Sequence, residues 1–125
     1  MIKIFETHRA QRSIMILVNS DGMWLHALDT TSISVINCKI TGYPKHLITA
    51  CEKVLSEPQA RGRWQIQTTT SDGIYGEVCG GVMCGFSVEE IKVTPEGFPS
   101  TEISLTLRPE EVENLIKVLE DYWTI

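Results

Sequence analysis

The chain has 125 residues and a formal net charge of −5 at pH 7, a length at which one core buries about two thirds of the unfolded surface, so a single α+β domain over residues 1–125 is expected. Its longest unbroken apolar run, Ile14 to Val18, is far short of the roughly 20 residues that span a bilayer, and the first residues lack a signal peptide's apolar stretch; no membrane association, a cytoplasmic location and reduced cysteines are expected. Residues 1–86 hold seven acidic and eight basic side chains, and residues 87–125 hold nine and three; a balance of +1 against −6 argues against nucleic acid and for a basic protein partner.

In chain order, Ile2 and Ile4 around Lys3 predict a short first strand, followed by a polar segment with His8, Arg9 and Arg12. The continuous run Ile14 to Val18 predicts a central strand covered on both faces. Asn19, Ser20, Asp21 and Gly22 predict a tight turn, with Asp-Gly supplying positive φ angles and Met23 to Leu28 returning as the hairpin partner. Ile33 and Val35 then alternate out of phase with Ile36, Cys38 and Ile40, which predicts a bulge near Val35 and Ile36. Leu47, Ile48, Cys51, Val54 and Leu55 recur at helical spacing, so a first helix is expected over about 44–56, ended by Pro58 and burying Cys51.

Gln59 to Gly62 reads as a connection, and Trp64, Ile66 and Thr68 alternate with glutamines and a threonine as a strand that hides its Trp side. Ser71-Asp72-Gly73 repeats the chemistry of Ser20-Asp21-Gly22, each triplet leading into an aliphatic and then an aromatic residue; two similar hairpins explain this better than an internal duplication. The segment Ile74 to Ser87 holds four glycines and two of the four cysteines, and its glycines predict a strand bending between two sheet regions. At Val88 to Val93 a capping-box spacing from Ser87 to Glu90 competes with alternation, and the early Pro95 favours a strand. Pro95, Gly97 and Pro99 predict a loop. Ile103, Leu105 and Leu107 against Glu102, Ser104 and Thr106 predict a half-exposed antiparallel strand, and Pro109 opens a final helix over about 109–123. That helix sets Val112, Leu115, Ile116, Leu119 and Trp123 on one stripe, with Glu113, Asn114, Lys117, Glu120 and Asp121 opposite. Together these elements predict one mainly antiparallel sheet of about six to eight strands with the two helices packed on it, on one face.

Chemistry is sought first at Cys79 and Cys84, but a structural zinc site needs a second ligand pair, and Cys38, Cys51, His8, His26 and His46 occur singly. A nucleophilic thiol needs an electropositive setting that this segment does not provide. Gly80 to Ser87 has the glycines and terminal serine of a phosphate loop, yet Phe86 stands where its lysine belongs. No catalytic residue, metal site or cofactor is therefore expected, and an enzyme or zinc protein built on Cys79 and Cys84 is the alternative. Arg61, Arg63 and Trp64, extended by Arg9 and Arg12, are the only nucleic-acid signal and do not amount to a stripe.

The expected function is that of a small protein-binding or inhibitory module, such as a toxin immunity protein, an antitoxin or a phage-encoded inhibitor of a nucleic-acid-handling complex. Its carboxylates would take positions that a basic target keeps for phosphates. Glu110, Glu113, Asn114, Glu120 and Asp121 on the last helix are the candidates, with Glu89, Glu90 and Glu96 before it. Trp24, together with Met23, is the candidate apolar anchor if one sheet face is uncovered. A self-associating structural subunit is the third reading.

Overall fold

The computed structural model describes residues 2–57, 59–66, 74–80, 84–91 and 100–123, and for Ile74, Tyr75, Glu89 to Ile91, Ser100 and Trp123 the backbone alone. The protein is α+β, and the described residues form eight strands in two antiparallel sheets of four and two helices. A single sheet is the expectation that fails. The first sheet is the meander β1 (Ile2–Arg9), β2 (Arg12–Asn19), β3 (Gly22–Asp29) and β4 (Ser34–Ile40); helix α1 (Lys45–Ser56) follows it. The second is β5 (Arg61–Ile66), β6 (Ile74–Cys79), β7 (Cys84–Ile91) and β8 (Ser100–Leu107), followed by helix α2 (Pro109–Trp123). A ββββα order thus occurs twice. The two Ser-Asp-Gly triplets do not mark equivalent places in it: Ser20 to Gly22 joins β2 to β3, whereas Ser71 to Gly73 falls between β5 and β6, outside the described residues.

In the first sheet the expected hairpin is present, with Asn19 opposite Gly22. Its two connecting residues are Ser20 and Asp21, the Asn19 Oδ1 accepts the Asp21 N–H at 2.7 Å, and positive φ occurs at Gly22 (149°). One long β2 does run through the centre, but it is not covered on both sides. Ile14 and Ile16 are buried while Met15 and Leu17 are half-buried on the other face. The phase slip around Val35 is not a bulge either. Residues from Ser34 to Ile40 pair with β3 in unbroken register, and Ile33 lies outside the strand in a turn with φ 54°. The bulge of this sheet is in β1, between Lys3 and Phe5.

The second sheet begins earlier than expected, because Gly62 is inside β5 and packs against α1. A Cβ at Gly62 would lie 2.6 Å from the Ala50 Cβ and 2.7 Å from its Cα, so glycine lets helix and strand backbones meet. Ile74 to Ser87 is not one bending strand; it supplies two neighbouring strands, β6 and β7, that pair with Cys79 opposite Gly85. Val88 to Ile91 is strand, and β8 alternates as expected, with Ile103, Leu105 and Leu107 buried. Trp64 is 3% exposed, stacks on Phe86 at 5.6 Å, and has no hydrogen-bond partner for its Nε1 among the described residues. The expected strand residue Thr68 and the loop around Pro95, Gly97 and Pro99 lie outside the described residues.

Helix α1 stops as Pro58 requires: Glu57 is extended (φ −128°, ψ 91°), the geometry favoured before a proline, and its N–H still reaches the Lys53 carbonyl at 2.9 Å. Leu47, Ile48, Ala50, Cys51 and Val54 form its buried face. In α2 the stripe of Val112, Leu115 and Leu119 is buried, with Ile116 packed beside it. The helices cross over between the two sheets. Helix α1 lies against β5 and β6, α2 lies against β1, the helices touch each other, and β8 comes against all four strands of the first sheet. Buried side chains from both sheets and both helices accordingly form one cluster.

Candidate functional site

Helix α2 carries the acidic candidates, and the fold sorts its carboxylates by position. The helix starts after Arg108, whose carbonyl accepts the N–H groups of Glu111 and Val112. Glu111 sits three positions into the helix and accepts the Arg108 N–H at 3.0 Å, half of a capping box. The same carboxylate takes the Thr7 hydroxyl and the Arg9 guanidinium from β1. Burial pushes the Glu111 carboxyl up, but those donors outweigh it and hold it below the usual value. Glu110, Glu113, Asn114 and Asp121 are exposed and Glu120 is half-buried. Positions 110, 113, 114, 117 and 121 share one helical stripe, so Lys117 sits among the carboxylates and dilutes their charge.

The remaining acidic candidates are not gathered there. Glu89 and Glu90 belong to β7, opposite Glu102 and Thr101 of β8, and their side chains lie outside the description, as does all of Glu96.

Trp24 is on a different element, the outward face of the first sheet, and Met23 cannot accompany it. Successive residues of a strand point to opposite faces, and Met23 is fully buried in the core. The residues that do flank Trp24 were not singled out in the sequence. Leu17 is its direct partner on β2, and the Lys39 Nζ lies 5.6 Å from its ring centre. The neighbouring rows hold Met15 beside His26, and Ser13, Leu28 and Val35 in line. The buried alternation of Met23, Leu25 and Ala27 was the signal that could have found this face, because it assigns Trp24, His26 and Leu28 to the other side.

Cys79 and Cys84 are separated by the second sheet itself. Cys84 is 1% exposed in the core, whereas Cys79 pairs with Gly85 on the opposite face. There the Cys79 thiol donates to the Glu77 Oε1 at 3.2 Å, and partial burial, the Glu77 hydrogen bond and the Glu77 charge all raise its pKa, with Arg61 opposing. Cys79 borders a groove of about 390 Å³ lined by Arg12, Gly85, Ser87, Ser104 and Thr106. The Ser87 and Ser104 hydroxyls are 2.5 Å apart in it, and the Arg12 Nη1 donates to the Ser104 carbonyl at 2.8 Å. A thiol held protonated in this way is a poor nucleophile. Among the described residues, no group of three or more His, Cys, Asp or Glu side chains could hold a metal ion.

The arginines do not pool. Arg9 is bound to Glu111 and Arg12 to Asp29, while Arg61 and Arg63 project from β5, Arg61 with Glu77 at 3.4 Å. None of the described helices is long and apolar enough to cross a membrane. No protein-family model matches the chain, and no curated protein or solved structure matches it significantly.

Proposed function

We propose that the protein is a single-domain cytosolic module that binds and neutralises a basic protein, in the manner of a toxin immunity protein or a phage-encoded inhibitor of a nucleic-acid-handling complex. The observation that supports this reading is the division of labour on α2. Glu111 is spent on Arg9 and Thr7 in holding the helix to β1, whereas Glu110 and Glu113 stay exposed beside Asn114 on a helix whose position that latch secures. Carboxylates on a rigid element can mimic a row of phosphates to a basic cleft, and their field accelerates encounter. The acidic surplus of residues 87–125 adds to that field. Of the other readings, a site that uses Cys79 and Cys84 together gains no support from two thiols on opposite faces of a sheet.

The test begins with recovery of the tagged protein from its host and identification of a stoichiometric partner. Association with that partner should slow at least tenfold when salt is raised from about 50 to 500 mM, because the Debye length falls from roughly 14 to 4 Å. The double substitution Glu110→Lys and Glu113→Lys should weaken the complex further at low salt. A complex indifferent to both would sink the electrostatic reading.

A further inference from the structure

We draw no further inference here: the strongest candidate, the groove of about 390 Å³ on the second sheet between Cys79, Ser87, Ser104 and Arg12, has its polar groups bonded to one another, Cys79 to Glu77, Ser87 to Ser104, and Arg12 to Asp29 and the Ser104 carbonyl, so nothing in the structure shows what ligand would fill it.

Discussion

Glu111 and Arg9 are 102 residues apart in the chain and form an ion pair that ties the start of α2 to the first strand, with Thr7 donating its hydroxyl to the same carboxylate. The pair is only partly exposed, 26% for Arg9 and 21% for Glu111. Removing the carboxylate leaves the buried Thr7 hydroxyl and the partly exposed Arg9 guanidinium without this acceptor, and the Arg108 N–H without its cap. Glu111→Ala is expected to cost about 1–3 kcal/mol in chemical denaturation, the range for a hydrogen-bonded charge.

The same carboxylate sets a pH dependence whose sign follows from its lowered pKa. In the unfolded chain Glu111 titrates near 4.5, and in the folded chain below that. The folded state therefore holds its proton less tightly, so the contribution is fully present above about pH 4.5 and is lost as pH falls through the lower folded value. Asp29 acts in the same direction: burial pushes its carboxyl up, but the Thr31 and Ser32 amides and Arg12 bring it down on balance. The denaturation midpoint should hold from pH 7 to 5 and drop below 4.5, less steeply in Glu111→Gln. Equal acid slopes for the two proteins would contradict this account.

Ile33 is a β-branched residue at φ 54° with 87% of its surface exposed. Left-handed backbone costs such a residue about 1–2 kcal/mol, whereas asparagine visits it readily. Ile33→Asn should stabilise the protein by about 1 kcal/mol, and on a domain of this size a gain of that order raises the melting temperature by roughly 3–5 °C. A lower melting temperature would mean that Ile33 makes a stabilising contact.

Gly76 is opposite Trp64 on β5 and Val88 on β7. A Cβ there would overlap the Trp64 ring and the Ser87 carbonyl oxygen. The indole fills the space that the missing side chain leaves, so Gly76→Ala must displace either a core tryptophan or strand backbone. A loss of about 3 kcal/mol or more is expected, at the upper end for overpacking, and a change in near-ultraviolet circular dichroism should accompany it. Wild-type stability in this variant would show that the sheet yields there at no cost.

Thiol labelling should divide the cysteines by burial. Cys38, Cys51 and Cys84 are buried, and burial, with smaller effects of Cys84 and Glu52, pushes the Cys51 thiol up to about 12. Cys79 is the partly exposed one. The native protein should therefore react at one site, more slowly at pH 7 than a free thiol, and at all four in denaturant; Cys79→Ser should leave no fast native site. Rapid native labelling of two or more thiols would refute the arrangement of these residues.

Several elements could be read directly from residue order because they depend on neighbours a few positions away. Helical spacing placed α1 between Pro44 and Pro58 and α2 from Pro109 onward, and alternation placed β5 and β8. The Asn19 to Gly22 turn located the first hairpin for the same reason. Glu110 and Glu111 look alike at this level, as do Cys79 and Cys84.

What separated them was tertiary. An apolar run such as Ile14 to Val18 has the same composition whether both of its faces are covered or one, and only the placement of α2 and β8 on the Thr7 and Arg12 side left Met15 and Leu17 turned outward. The division into two sheets, the turn at Ile33 that imitates a bulge, and the capture of Glu111 by Arg9 all rest on contacts between residues far apart in the chain. Periodicity along the chain determined which residues share a face. Packing across it decided which faces became core, and left Trp24 on one surface and the exposed carboxylates of α2 on another.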